Sequence, residues 1–344
     1  MIRKIIFILI SLIFSNFSFA QEKRKEKTDS LYVKDYSHKL TVFTYGKTKY
    51  VQVLFANKKT NEKIGFSPNN RFNVGFGFTY KWLGLGIAFN LPFINNDNDL
   101  KGKTSRFDAQ MNMFMQKFVF DLYFSHYKGF YVTTPTVLDT SWVEGMPYPQ
   151  YPALQSTNLG FSTYYILNNK KFSYKAAYAL NQIQRKSAGS WIFGFVFNIN
   201  GVRNDTTLIP ETIWDADSAR FKVKAITDVS IGPLAGYAYN FVIKKHFLFN
   251  ISLVPGILIE ASEYNYYKNS ILKTASSSSF GIGVNYRMGL VYNKGNVFFG
   301  LNFNNFATSY TIRGMTKNSS TGNYRLFFGY RFDMNKNKKH KQKL

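Results

Sequence analysis

The chain has 344 residues, no cysteine and a formal net charge of +25, with 35 Phe and 24 Tyr. Without cysteine, disulfides, Cys-ligated zinc and thiol catalysis are excluded. A mean hydropathy of -0.21 is too polar for a bundle of membrane helices, but it suits a barrel, in which lipid-facing and interior residues alternate.

Residues 1–20 read as a secretory signal peptide. Arg3 and Lys4 make the basic start, 5–14 the apolar run, and Ser18-Phe19-Ala20 a small-x-small cleavage site before Gln21. The apolar run is shorter than the ~20 residues of a membrane helix. Residues 21–38 are charged, lack a sustained apolar period and read as a periplasmic lead-in. A barrel is expected over 39–332 and a solvated Lys-rich tail over 333–344. An exported chain of this pattern points to the bacterial outer membrane.

The first strand is expected at 40–56, followed by a polar loop whose Pro68-Asn69-Asn70 is a turn signal. The stretch 71–91 then sets the pattern for the rest. Phe72, Val74, Phe76, Phe78 and Tyr80 share one face; Arg71, Asn73, Gly75, Gly77 and Thr79 share the other. After a corner at Lys81-Trp82, Leu83, Leu85, Ile87, Phe89 and Leu91 alternate with Gly84, Gly86, Ala88 and Asn90. Successive side chains on a strand point to opposite faces, so this is a two-faced hairpin. Its small, polar second face suits the interior of a barrel.

An acidic loop at 95–99 leads to a strand at 104–116. There Phe107, Ala109, Met111, Met113 and Met115 face outward, and Arg106, Asp108, Gln110, Asn112 and Gln116 inward. Beyond Lys117, Phe118, Phe120, Leu122 and Phe124 face outward and Asp121, Tyr123, Ser125 and Tyr127 inward. Residues 132–155 form a long loop bearing Pro and Tyr, expected to lie outside the cell or to constrict the barrel. Strands follow near 156–168, 171–184 and 189–200, then an irregular polar segment at 201–225. Further strands are expected near 229–243, 246–261, 276–292, 296–311 and 323–332.

That makes roughly thirteen strands, whereas single-chain bacterial barrels have even numbers. A hidden strand near 220–226 gives about fourteen; if one assigned segment is not a barrel strand, the count is twelve. The expected fold class is therefore all-β, a transmembrane antiparallel up-and-down β-barrel of about 14 strands, with 12 as the alternative. In the last strand Tyr324, Leu326, Phe328, Tyr330 and Phe332 face outward, resembling the terminal aromatic signal read by outer-membrane assembly machinery.

The basic residues are scattered over turns and rims, where they suit lipopolysaccharide phosphates. Expected partners are outer-membrane lipids, lipopolysaccharide, the assembly machinery and an unidentified envelope protein, with no nucleic acid. Motifs for chemistry are weak. Gly102-Lys103-Thr104 lacks the leading glycine of a phosphate loop and precedes a strand, and Gly75-x-Gly77 and Gly281-x-Gly283 are strand glycines. Ser125 and His126 are adjacent on one strand and must face opposite ways. Asp108 and Asp121 are expected to join a lumen salt-bridge network with Arg71 and Arg106 rather than to form a catalytic pair. No catalytic residue, cofactor or metal is expected. The lumen-facing polar candidates are Arg71, Arg106, Asp108, Gln110, Asp121, Lys175, Arg287, Arg325 and Arg331. Because the cations outnumber the acids, an open lumen would prefer anions.

The run Pro68-Asn69-Asn70, Gly75-x-Gly77, Tyr80-Lys81-Trp82-Leu83-Gly84-Leu85, with Gly102-Lys103-Thr104 and Phe107-Asp108-x-Gln110, resembles an uncharacterised bacterial family. So do Tyr127-x-Gly129-Phe130-Tyr131, Lys186-Ser187-Ala188-Gly189-Ser190, Gly236-Tyr237-Ala238-Tyr239 and Pro255-Gly256. That family is known as domain of unknown function 4421. The resemblance implies an outer-membrane barrel and brings no catalytic residue or ligand. Three readings of function stay open: a narrow channel or structural envelope component, an accessory barrel of a surface-export or envelope-assembly complex, and a lipid-modifying enzyme.

Overall fold

The structure is a computed structural model that describes residues 28–80, 83–94, 97–209, 222–268, 270–312 and 314–334. The signal peptide expected from the sequence, and the Lys-rich tail from residue 335 on, lie outside the described residues. In chain order the strands are β1 (Val33–Asp35), β2 (Leu40–Asn57), β3 (Lys63–Pro68), β4 (Phe72–Tyr80), β5 (Leu83–Asn90), β6 (Ser105–Phe114), β7 (Phe118–Val132), β8 (Gln150–Ile166), β9 (Gln182–Gln184), β10 (Ala188–Arg203), β11 (Lys222–Ile243), β12 (Phe247–Lys268), β13 (Ile271–Lys294), β14 (Val297–Ile312) and β15 (Met315–Phe332). Two four-residue helices, α1 (Asn98–Lys101) and α2 (Lys175–Tyr178), interrupt them.

The fold is an all-β antiparallel barrel. Ten strands close the ring in the order β2, β3, β7, β8, β10, β11, β12, β13, β14 and β15, with β15 returning to β2 along its whole length. Three more, β4, β5 and β6, flank the ring: β4 pairs with β2, β5 with β4, and β6 with β7. The expected count of about fourteen does not emerge from this pairing. Two readings of the sequence are corrected here. The supposed strand at 171–184 is not in the wall, and Lys222 to Ile226 is the start of β11 rather than a strand of its own.

The ring changes neighbours part-way up. Strand β2 pairs with β4 from Thr41 to Thr48 and with β3 from Val53 to Ala56. Strand β7 pairs with β6 up to Lys128 and with β3 from Phe130. The switch in β7 falls at a bulge whose Gly129 has φ +90°, and a Cβ there would lie 2.3 Å from the Lys103 carbonyl oxygen. Only glycine fits such a left-handed, crowded position, and the extra residue bends the strand towards its new partner.

Polarity reverses along the barrel axis. At the near end, which holds the start of β2 and the end of β15, the outward residues are apolar: Phe247, Ile251, Leu253, Ile257, Phe280, Ile282, Leu301, Leu326, Phe328 and Phe332 are all exposed. Towards the far end the outward face turns polar, as at Glu263, Thr274, Ser276 and Ser278, with Ile271 and Leu272 exposed at the tip of β13. There the apolar residues point inward instead: Val51, Val53, Phe55, Ile64, Phe66, Tyr127, Val132 and Leu154 form a buried cluster. Strands β11, β12 and β13 have 22, 22 and 24 residues. A bilayer crossing takes only ~9–11 residues, so about half of each serves the apolar band and the rest projects beyond it.

Candidate functional site, a plugged lumen

The inward face of the near half is filled by the chain itself. The segment between β8 and β10 turns into the barrel, where α2 and β9 pack, and β1 pairs with β9 from Val33 to Asp35. Phe172, Tyr174, Ala176, Ala177, Tyr178 and Leu180 are buried there against Leu248, Val254, Val291, Phe298 and Phe327 of the wall. Polar bonds pin this plug. The Tyr174 hydroxyl lies 2.6 Å from Ser252 Oγ, and the Tyr178 hydroxyl donates to Asn250 Oδ1 at 2.7 Å. Asn240 Nδ2 donates to the Ser173 carbonyl at 2.9 Å. Two arginines of β15 cap plug carbonyls, Arg325 that of Tyr178 and Arg331 that of Leu180, both at 2.9 Å. Helix α2 is too short to satisfy its own last carbonyls, so donors from the wall do it.

Eight of the nine sequence-derived candidates, all but Arg71, lie along or against this interior, though in other pairings than expected. Asp108 pairs with Lys49 and accepts from the Tyr127 hydroxyl at 2.7 Å. Asp121 pairs with Arg287, whose guanidinium also reaches Asn285 Oδ1 at 3.0 Å and lies over the Tyr164 ring. Gln110 accepts from Lys47 Nζ at 3.1 Å. Arg331 is fully buried against Phe298, and Arg325 lies beside Phe43 and Phe327. Lys175 opens α2 within the plug rather than sitting on a wall strand.

The expected network of Asp108 and Asp121 with Arg71 and Arg106 is corrected: each carboxylate has its own cation. Arg71 donates to Asn98 Oδ1 at 3.3 Å and Arg106 to Asn73 Oδ1 at 3.0 Å. Ser125 is buried and accepts from Asn158 Nδ2, while the His126 ring bonds Thr157 Oγ1 at 2.8 Å.

Sequence reading missed the most deeply buried ion pair among the described residues, Lys317 with Asp228, which are 0% and 1% exposed as side chains. Lys317 also donates to Asn200 Oδ1 at 2.6 Å, and Glu260 nearby accepts from Ser230. The signal was there: β15 begins at Met315, and period two from Arg331 back through Arg325 puts Lys317 on the inner face.

Between the plug and the far apolar cluster lies a polar layer with a cavity of about 50 Å³, lined among others by Lys49, Asp108, Asp121, Ser162, Asn198 and Thr321. At the far mouth Leu208 and Ile209 belong to the apolar cluster, and Val137 and Leu138 of the 133–149 loop pack against it. Apolar contacts therefore cover the polar layer from both ends.

A closed antiparallel barrel with an apolar outer band and an internal plug is the class of protein defined by this geometry. The family described as "Domain of unknown function (DUF4421)" matches residues 27–332, and the chain belongs to that family. None of the curated proteins matches it. Among solved structures, the outer membrane protease OmpT from Escherichia coli is similar at 8% identity and a TM-score of 0.40, over 87% of this chain and 98% of that one. OprG of Pseudomonas aeruginosa is similar at 10% identity and a TM-score of 0.25, over 86% and 96%. Ail of Yersinia pestis is similar at 8% and 0.22, over 84% and 98%. Likeness this slight carries no function, and the description of the barrel rests on its own strand pairing.

Proposed function

We infer that the chain is an integral outer-membrane β-barrel protein that stands as a closed structural component of the envelope rather than as an open channel. The observation that carries this reading is the reversal of polarity along the axis: greasy outside and plugged inside at the near end, polar outside and apolar inside at the far end. A water-soluble barrel has no use for the first arrangement and a fully embedded one none for the second. The near half then stands in the bilayer and the far half in water. Outward Tyr324, Phe328 and Tyr330 of β15 suit both the lipid interface and the assembly machinery. Lysines at the far rim suit lipopolysaccharide phosphates.

Paired substitutions on the outward face test this reading. Leu253→Arg in the apolar band is expected to cost about 2–4 kcal/mol of stability in liposomes, and Ser276→Arg in the far half about 0–1 kcal/mol. Both are read as midpoints of urea unfolding by the heat-dependent shift in gel mobility. Equal costs at the two sites would remove the bilayer from the picture.

A second reading, an accessory barrel of an export or assembly complex, draws on one feature. The 133–149 loop displays exposed Val143 and Met146 beside Trp142, whose indole donates to the Pro147 carbonyl at 3.1 Å. Cross-linking from position 143 in intact cells, followed by purification, tests it: a single reproducible envelope protein supports docking, and none rejects it.

A further inference from the structure

The wall of the near half is not continuous. Among the described residues β5 has one strand neighbour, β4, and β6 has one, β7. Their other edges face each other across a seam. The seam stops at the height where β3 meets β7, through Phe66, Ser67 and Pro68 opposite Val132, Tyr131 and Phe130. Directly below that seal the corner is tied by Thr104, which accepts from the Asn69 amide at 2.8 Å and donates to the Gly129 carbonyl at 2.7 Å. The opening is therefore confined to the apolar band. Outward Leu85, Ile87 and Phe89 flank it on one side, and Phe107 and Met111 on the other, all exposed. On β5 even the inward Gly84, Gly86 and Ala88 are exposed.

Open sheet edges are not stable in hydrocarbon, because each unmet amide or carbonyl costs several kcal/mol. Side-chain clasps stand where the backbone ladder is missing. Lys47 reaches Gln110, Lys49 reaches Asp108 and Arg106 reaches Asn73, joining β2 and β4 to β6 behind the seam. The strands are also suited to zip together. They run antiparallel, and in one register the start of β5 stands opposite the end of β6, Leu83 against Met113. The same register sets Leu85 against Met111, Ile87 against Ala109 and Phe89 against Phe107. Every outward position is then apolar, and small Gly84, Gly86 and Ala88 meet polar Asn112, Gln110 and Asp108 inside.

Behind the seam lies the polar cavity, whose lining includes Lys49, Asp108 and Gln110 of the clasps. Buried Asn198 Nδ2 and Asn304 Oδ1, both on that lining, have no partner. Apolar contacts cover the polar layer at both ends of the barrel, and of the residues lining the cavity Asp108 and Gln110 stand on β6, whose other edge is the seam. We propose that the β5–β6 seam is a lateral gate through which the compact polar head of a membrane amphiphile reaches the cavity at Lys49, Asp108 and Asn198, its alkyl chain remaining in the bilayer, and that zipping of β5 to β6 closes it. This rests on the barrel standing in a membrane.

The chain has no native cysteine, so introduced thiols are the only ones. Ser162→Cys is nearly isosteric and lines the cavity; Thr321→Cys on the opposite wall is the alternative if the first variant fails to fold. The probe is N-dodecylmaleimide dissolved in phospholipid vesicles, which adds a thiol across its double bond with no leaving group. Flotation of the vesicles beforehand shows whether the protein is embedded, which separates failure of the membrane reading from failure of the gate. Because labelling scales with the open fraction, the lipid-dissolved reagent is expected to react at least about tenfold faster than a charged, water-soluble maleimide. Adding Ile87→Cys and Ala109→Cys, oxidised to a disulfide, is expected to abolish that labelling, since directly opposed strand residues meet disulfide geometry. Phe78→Cys with Leu85→Cys, already opposed in the β4–β5 ladder, is the positive control. The gate is overturned if floated protein is not labelled by the alkyl reagent, if labelling persists with the seam locked, or if the control pair cross-links and the 87–109 pair does not.

Discussion

Replacing residues 171–186 with a short Gly-Ser linker is expected to turn a silent barrel into a conducting one. The intact protein, reconstituted in planar bilayers, should show no standing conductance, because the plug fills the near half and is bonded to four wall strands: through Asn240 of β11, Asn250 and Ser252 of β12, Asn302 of β14, and Arg325 and Arg331 of β15. Without the plug, those polar wall groups face water and the near half opens up to the polar layer. Ion flux should rise by at least about tenfold and prefer anions, since charged groups lining a pore set its selectivity. The inward cations Lys47, Lys49, Arg106, Arg287, Lys317, Arg325 and Arg331 outnumber Asp108, Asp121, Asp228 and Glu260. Heat-dependent gel mobility must first show that the excised barrel still folds. A folded, excised barrel that stays silent would mean that the far apolar cluster alone seals the lumen. Cation preference would mean that the basic side chains are neutralised by their partners.

Asp228→Ala is expected to destabilise the barrel by about 3–5 kcal/mol, the cost of leaving a buried charge alone. Lys317 is fully buried, and the hydrogen bond it keeps goes to the neutral Asn200 side chain. Replacing both partners, Asp228→Leu with Lys317→Met, should recover most of that loss, because a buried ion pair exchanged for apolar groups of similar volume is often close to neutral. Urea unfolding of the single and double variants in liposomes gives the comparison. A single variant within about 1 kcal/mol of the parent would show that water reaches the pair, as it does at exposed pairs.

The wall of this barrel is legible in the sequence and its contents are not, for a physical reason. Phe76, Leu85, Phe107, Leu326 and Phe328 are exposed, as period two demands of residues that face lipid. In the hairpin, glycines 75 and 77 mark the inner face because the rings of Tyr45 and Phe43 press on them; an added Cβ would lie 2.8 Å from each ring. The plug reads as another strand because Phe172, Tyr174 and Tyr178 sit at even spacing. Yet Ser173, Ala177 and their neighbours are buried too, and burial on every side cannot be read from a one-dimensional alternation. The basic pairs Lys170-Lys171 and Arg185-Lys186 that bracket it are the one available hint.

Charge pairing across the lumen is equally hidden. Inward slots identify Asp108, Asp121 and Arg287 as interior, but partners come from strands distant in sequence, as in Arg287 with Asp121 and Lys49 with Asp108. The family resemblance carried the chain to its fold and, like the fold, stops short of a ligand. Nothing in the periodicity of β5 and β6 says that their edges stand apart. Both are well-formed strands with matching faces, and the change of partner from β6 to β3 at the Gly129 bulge has no mark in their periodicity.

Polarised infrared spectroscopy of the protein in oriented lipid bilayers tests the central claim most directly. A membrane-embedded barrel gives an amide spectrum dominated by β-structure, with strands tilted about 35–45° from the bilayer normal, and the signal survives a carbonate wash. A mainly helical spectrum, strands without a preferred tilt, or protein that leaves the membrane in carbonate would contradict it.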